Sequence, residues 1–549
     1  MCPMNNNIKT IYLDNYMKKI FLLGLMMSCA LIVMAQSMEM SPSQKLRYAE
    51  GIISAYYVDT VNSNKIVEEA IVAMLKTLDP HSSYTNAEET KELTEPLQGN
   101  FSGIGITFNM QSDTLYILQT VANGPCEKVG IVAGDRIISA NDTIISGVKK
   151  KNNDVIKILR GPKGTVVNLK VKRKGKKDLL SFRVIREEIP IYSVDAAYMA
   201  DATTGYVRIS RFAEDTNEEF LKAVKELKSK GMKDIIIDLQ DNGGGYLGSA
   251  YNLASNFLRG GDLVVYTEGL NSSPYYFRTD FNGDLLDGKV VILVNQYSAS
   301  ASEIVAGAIQ DNDRGLIVGR RTFGKGLVQR PFPFPDGSMI RLTISRYHTP
   351  SGRCIQKPYT EGDEEDYRKD ILKRFESGEF MSADSIHFAD SLKCYTLKNR
   401  RVVYGGGGIM PDKFVPLDTT ENSEYYRQLL GSGILHKYCL NYVDENRGSL
   451  KKKYPTDDDF VAHFEVSDDM MKQLINQGEA DSIKYNEEQY RRSEALLKMV
   501  LKANIASDMY GSKSFYKVSN PYDQTYKAAL YLINNKEEYD RLLKEGGLK

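Results

Sequence analysis

Three serines, Ser298, Ser300 and Ser302, stand between the β-branched run Val290 to Val294 and a segment with Ile304, Val305, Ala308 and Ile309 at helical spacing. A serine at such a strand-to-helix turn faces unpaired backbone N–H groups and the positive end of a helix dipole, which suits the oxyanion of an acyl transfer. Ser300 with Glu303 three residues on also has the spacing of a capping box, so helix initiation alone accounts for the pattern. A base separates the two readings, because a serine hydroxyl is a poor nucleophile until a partner takes its proton. The five histidines, His81, His348, His387, His436 and His463, all lie outside this stretch, and a Ser-His-Asp triad would have to be assembled from distant segments. Lys325, between Gly324 and Gly326, is nearer. It serves as a base if burial lowers its pKa from about 10.4 by a few units.

Two glycine patterns offer a rival chemistry. Gly243, Gly245 and Gly248 follow the strand-like Asp234 to Leu239 and match the Gly-x-Gly-x-x-Gly of a dinucleotide site. Gly319 to Lys325 nearly matches a phosphate-binding loop, but no Ser or Thr follows its lysine and prolines break the segment Leu327 to Pro335, where the helix should be. The first pattern stays open on its own residues, since glycine amides at a helix start serve an oxyanion as readily as a phosphate.

The run Ser-Ala-Ser-Ala-Ser-Glu-Ile-Val-Ala-Gly-Ala from Ser298, followed by Thr-Phe-Gly-Lys-Gly-Leu-Val-Gln from Thr322, closely resembles the carboxy-terminal processing peptidases, or tail-specific proteases. The resemblance implies Ser300 as nucleophile, Lys325 as base and Gln329 as the residue that positions the lysine. It also implies that a Gly-Gly turn lines the oxyanion hole, with the backbones of Gly244, Gly245 and Ala301 as donors. Gln240 and Gly243 stand where relatives often have arginine and proline.

The elements that position these residues are read as a multidomain α/β protein. Residues 1–35 have the charged start (Met17-Lys18-Lys19), apolar middle (Ile20 to Ala35) and small-residue end of a secretory signal peptide, with Met17 as the expected true start. Cys29 suggests a lipid anchor, but the run Ala30 to Ala35 after it stays apolar where a mature lipoprotein turns polar, and a membrane association is expected only if that anchor forms. Residues 36–95 form a helical N-terminal cap, ending in an Asp79-Pro80-His81-Ser82 turn whose histidine reads as part of a helix-end turn.

Residues 96–187 change to short strands and turns and resemble a PDZ domain. The landmarks are Phe101 to Phe108, Gly124 to Ile138 and Leu159 to Val167. Backbone N–H groups around Gly103, Ile104 and Gly105 form a nest for a terminal carboxylate, while the strand through Ile106 adds to an extended peptide. Arg160, beside this groove, is a gating candidate that reaches the core and alters the surroundings of Lys325 when a tail binds. The basic cluster Lys172 to Lys177 reads as a solvated hairpin turn.

Residues 188–418 form an α/β peptidase core with a mainly parallel sheet, interrupted by a charged helical insertion at 359–401, and residues 419–549 form a helical C-terminal domain. Lys plus Arg equals Asp plus Glu at 71 each, so no net field favours nucleic acid. Cys126, Cys354, Cys394 and Cys439 lack metal-ligand spacing, and neither a metal nor another cofactor is expected. The expected function is an exported serine endopeptidase of the periplasm or cell envelope that binds protein or peptide substrates by their C-terminus; a homo-oligomer is left open. The alternatives are a silent PDZ-bearing scaffold and, more remotely, a nucleotide-dependent enzyme.

Overall fold

The computed structural model describes residues 40–111 and 113–547, together with residues 16, 17 and 19. Apart from those three, the expected signal segment, Cys29 included, lies outside the described residues. The chain divides into two compact units, 1–75 and 76–549.

In the first unit the helix Pro42–Tyr56 begins at a full capping box: the Ser41 hydroxyl accepts from Gln44 N at 3.3 Å, and the Gln44 side chain accepts from Ser41 N at 3.0 Å. The helix Ser63–Lys76 follows it.

The second unit opens with the Asp79 to Ser82 turn, the strand Ser83–Thr85 and the helix Ala87–Gln98, which ends at Gly99 with φ +78°. The PDZ segment comes next. Its antiparallel sheet runs in the order Ile106–Gln111, Thr114–Thr120, Arg136–Ala140, Val166–Lys172 and Leu180–Ile185. That order leaves Ile106–Gln111 at an edge, where an extended peptide can add a strand. Ile104, Leu115, Ile137, Val155, Leu159 and Val167 fill the core between the sheet and the helix Asn152–Leu159. The strands Asn100–Gly103 and Glu187–Pro190 pair with each other, so the chain enters and leaves this domain at one place.

The peptidase core is built on a six-stranded sheet in the order Val194–Met199, Thr204–Ile209, Asp234–Asp238, Val290–Val294, Leu316–Gly319 and Lys413–Phe414. Only the first pair is antiparallel; the other four pairings are parallel, as the alternation of strand and helix predicts. Alternate strand residues face opposite ways. Ile235, Ile237, Val290, Ile292 and Val294 pack on the helices Thr216–Ser229, Leu247–Ser255 and Ala301–Asp311. Ile236, Val291, Leu293 and Val318 pack on Tyr526, Ala529, Leu532 and Tyr539 of the last two helices, Gln524–Asn534 and Lys536–Glu545. The C-terminal segment thus serves two bodies, because the helices between Glu424 and Ser519 bury their own separate cluster.

A second, antiparallel sheet carries the long strand Met339–His348. Leu327–Pro333 pairs with it to form the hairpin expected around Asp336-Gly337, while Ser83–Thr85 and Leu263–Gly269 also pair with it. The insertion folds as the helix Glu364–Glu376, two short 3-10 turns and the hairpin Lys393–Tyr395/Val402–Tyr404.

Candidate active site

The three serines part company in the structure. Ser298 and Ser302 are wholly buried, and their hydroxyls donate to the Leu239 carbonyl (2.7 Å) and the Asn242 carbonyl (2.9 Å). Ser300 is half-buried at the N-cap of Ala301–Asp311, with φ 57° and ψ −113°. A non-glycine residue in that region is strained, and such outliers gather where a side chain must be presented for work.

Two buried groups hold that corner against the loop that carries Lys325. The Glu303 carboxylate accepts the N–H groups of Ser300 (2.8 Å), Gly324 (2.7 Å) and Lys325 (2.9 Å), and the Thr322 hydroxyl at 2.5 Å. Tyr347, 1% exposed, reaches the carbonyl oxygens of Ser300 (3.1 Å) and of Lys325 with its hydroxyl. The Glu303 half of the capping box therefore forms, yet the same carboxylate binds a second loop, which a simple helix cap does not. Gly319 to Lys325 leads into the strand Leu327–Pro333 rather than a helix, so the loop has no phosphate-binding geometry.

Lys325 is half-buried; the loss of water around its amine, followed by repulsion from Arg341, lowers its pKa to about 8 against the pull of Glu303 and Asp79. No hydrogen bond joins its ammonium to Ser300 among the described residues. Gln329 does not meet the lysine either. Its amide donates to the Thr343 hydroxyl (3.2 Å), which in turn donates to Asp79 (3.0 Å).

The glycine turn sits directly behind Ser300. A Cβ on Gly244, whose φ is +103°, would lie 2.8 Å from Ser300 Cβ and 2.9 Å from the Ala299 carbonyl oxygen. Asn242 ties the two turns together: its carbonyl accepts from Ala299 N (3.0 Å) and its side chain from Gly244 N (2.8 Å). Of the three expected oxyanion donors, Gly244 is thus already engaged, which leaves the N–H groups of Gly245 and Ala301.

In the PDZ groove Gly105 adopts φ +70°, and the carbonyls of Ile104 and Gly105 are taken by Cys126 N (3.1 Å) and Val121 N (3.0 Å), so the loop through Gly103 is braced from inside. Arg160 is not among the charges that act on Lys325. It pairs with Glu95 of the helix Ala87–Gln98 at 2.6 Å and stacks over Phe101, 4.2 Å from the ring centre.

Sequence reasoning missed Asp79, Asn242, Glu303 as a two-loop clamp, Thr343 and Tyr347. The Asp79 turn is the most instructive case. Asp79 accepts from His81 N (2.8 Å), Ser82 N (2.9 Å) and the Ser82 hydroxyl (2.5 Å), as an Asp-Pro turn predicts, but Ser82 also accepts from Thr343 N (3.0 Å) and so anchors the turn on the catalytic sheet. His81 then lies within electrostatic reach of Lys325. Burial, with that charge next, pushes its imidazole down to about 3 and keeps it neutral.

Comparison with known proteins gives the family. Residues 203–366 match peptidase family S41, residues 102–184 a PDZ domain, residues 31–90 the N-terminal domain of the activating protease CtpB, and residues 425–511 a family of unknown function. A carboxy-terminal-processing protease of Bartonella bacilliformis is 36% identical over 61% of this chain and 79% of its own length. The carboxy-terminal processing protease CtpB of Bacillus subtilis is 38% identical over 57% of this chain and 65% of its own. Among solved structures, the photosystem II D1 C-terminal processing protease is 28% identical over 57% of this chain and 83% of its own, with a TM-score of 0.33. The chain belongs to the carboxy-terminal processing proteases, serine-type peptidases of family S41 that carry a PDZ domain.

Proposed function

We propose that this protein is an exported endopeptidase that binds protein or peptide substrates by their C-terminal tail in the PDZ groove and cleaves them with a Ser300–Lys325 dyad. The neutral Lys325 amine takes the Ser300 proton as Oγ attacks the scissile carbonyl. The oxyanion is received by the N–H groups of Gly245 and Ala301, with Gly244 shaping the turn behind them. The ammonium then protonates the leaving amine, an acyl-enzyme remains, and Lys325 activates the water that releases the acid. Gln329 acts through Thr343 and Asp79 to fix the strand Leu327–Pro333, which follows the loop that carries the base. The observation that supports this reading best is the shared clamp of Glu303 and Tyr347 on the backbones of Ser300 and Lys325, around an amine whose pKa is lowered to about 8. The tail carboxylate is received by the backbone at Gly103 to Gly105, and the peptide pairs along the edge strand that starts at Ile106.

A cleavage assay on one peptide with a free or an amidated C-terminus tests both halves. Wild-type enzyme is expected to prefer the free acid, and Ser300→Ala and Lys325→Met to lose cleavage of both. Equal cleavage of acid and amide removes tail recognition; cleavage by Lys325→Met removes the dyad; inactive wild type with retained tail binding returns the protein to a silent scaffold. Export is tested by fractionating cells that express the full chain, and residence in the cytosol overturns it.

A further inference from the structure

The insertion at 359–401 is docked on the loop that carries the base. Arg374, 4% exposed, donates to the carbonyls of Arg321 (2.7 Å) and Thr322 (3.1 Å) and to Glu379 (2.8 Å). Glu379 in turn receives Arg321 at 2.8 and 2.6 Å. Thr322 passes the contact on, since its hydroxyl donates to Glu303, the carboxylate that holds the N–H groups of Ser300 and Lys325. The same helix makes a second approach. The Tyr367 hydroxyl meets His81 Nε2 at 2.9 Å, its ring stands 5.9 Å from Phe323, and Asp370 binds Lys357, whose N–H donates to the Gly324 carbonyl at 2.9 Å.

We infer that the insertion is a positioning element for the base, with Arg374 as its main positioning residue: it fixes the Arg321 to Lys325 backbone and so sets the pH range in which the enzyme cleaves. The inference rests on the reading of Lys325 as base. The charged groups that face the lysine are Arg341 on the long strand, Glu303 on the nucleophile helix and Asp79 on the N-terminal turn, with the neutral His81 beside it. None belongs to the insertion, so the insertion acts through backbone placement and exclusion of water, not by its own charge. When the loop loosens, water returns to the amine and its pKa rises toward the ordinary lysine range.

The experiment measures kcat and KM on a peptide substrate from about pH 6 to 10, normalised to the folded fraction from thermal melts, for wild type, Arg374→Gln, Arg374→Lys, Tyr367→Phe and Lys325→Met. In Arg374→Gln the acidic limb of kcat is expected to move up by about one unit, a roughly tenfold loss near pH 6 to 7 that shrinks to about fivefold near pH 8 and is recovered near pH 10, with KM within about twofold. Arg374→Lys is expected to restore part of the limb. Loss in proportion to the folded fraction, with the limb unmoved, overturns the inference. If Arg374→Gln fails to fold, Arg374→Lys and Tyr367→Phe read the same limb, and an unmoved limb in both also overturns it. An active Lys325→Met overturns the dyad itself; an inactive one beside an unmoved limb overturns only the role of the insertion.

Discussion

Ser300 and Lys325 donate their backbone N–H groups to one and the same oxygen, Oε2 of Glu303, at 2.8 and 2.9 Å. The two residues arrive from segments 25 residues apart on opposite sides of a helix and a strand, and a single buried atom sets the separation of their backbones. Burial raises the Glu303 pKa, while hydrogen bonds from Thr322, Lys325, Gly324 and Ser300 oppose that rise. Four donors around one carboxylate favour its charged form.

Glu303→Gln tests this clamp. The amide has one acceptor oxygen, and its NH2 group must face donors that have nothing to give it. Each buried donor left unpaired costs about 1 to 3 kcal/mol, so a stability loss of about 2 to 4 kcal/mol is expected. Cleavage is expected to fall by at least about a hundredfold, since loss of catalytic alignment by an ångström is worth that much. Denaturant melts and kcat at saturating peptide check the two parts, and a variant with near wild-type kcat removes the clamp from catalysis.

Gly244→Ala addresses the turn behind the nucleophile. The added methyl meets Ser300 Cβ at 2.8 Å and backbone atoms of Ala299 and Ala301 at 2.9 and 3.0 Å, and φ +103° suits no L side chain. Something must move, and the closest atom belongs to Ser300. Cleavage is expected to fall by about a hundredfold or more while the domain still folds, because the strain of one such residue is about 1 to 3 kcal/mol. Unchanged acylation by a serine-directed probe counts against the placement of this turn at the oxyanion site.

The strand–helix alternation and the hairpin at Asp336-Gly337 were legible because each is written in local pattern, helical spacing and turn residues, and the PDZ segment was legible through the resemblance of its three landmarks. The same holds for the Ser300 corner and for Lys325. The contacts that join them were not. Glu303 was visible only as a helix cap, since nothing in the sequence says that a second loop lies over it. Thr343 and Asp79 meet only after the N-terminal turn lays Ser83–Thr85 beside Met339–His348, a pairing between segments more than 250 residues apart. Likewise the insertion was legible only as charged and helical, with nothing to show that Arg374 and Glu379 are buried against Arg321. Long-range pairing of polar groups leaves no periodic trace.

Asp508, in the separate helical cluster, offers a test of stability away from the site. Burial raises its carboxyl to about 7 against the attraction of Arg447, and its Oδ2 has no hydrogen-bond partner among the described residues. The folded pKa lies above the unfolded value of 3.8, so the folded state holds a proton that the unfolded chain has already released as pH climbs from about 4 to 7. Stability is therefore lost across that window, and the penalty is complete above it. Asp508→Asn is expected to raise stability by about 2 to 4 kcal/mol at pH 8 and to leave it nearly unchanged at pH 4. Melts at the two pH values check this; an equal effect at both assigns the change to packing.

The same linkage, run with the opposite sign of charge, tests Lys325. Its folded pKa of about 8 lies below the ordinary 10.5, so the fold disfavours the charged amine. Below pH 8 both states are protonated and the whole penalty is present; between about 8 and 10.5 the folded state has released a proton that the unfolded chain still holds, so the penalty fades, and it is gone above 10.5. At about 1.4 kcal/mol per unit the shift is worth about 3 kcal/mol as an upper bound, reduced by whatever solvent still reaches the half-buried side chain. Methionine keeps most of the stem and removes the charge. Lys325→Met is therefore expected to abolish cleavage while equalling or exceeding the wild type in stability at pH 7, with the advantage shrinking toward pH 10. The activity of the wild type should rise around pH 8 and level off about a unit above it, while the stability difference only begins to close there and is lost near 10.5, because the folded pKa governs the first and its gap to the unfolded pKa the second. Thermal melts of the two proteins from pH 6 to about 10, beside the kcat profile of the wild type, check the pair of curves. A variant that is inactive and clearly less stable at pH 7 makes Lys325 a charged structural lysine, and the proton from Ser300 then needs another acceptor. Among the described residues His81 is the neutral base within electrostatic reach of the same site, and the pH profile of His81→Gln would decide its claim.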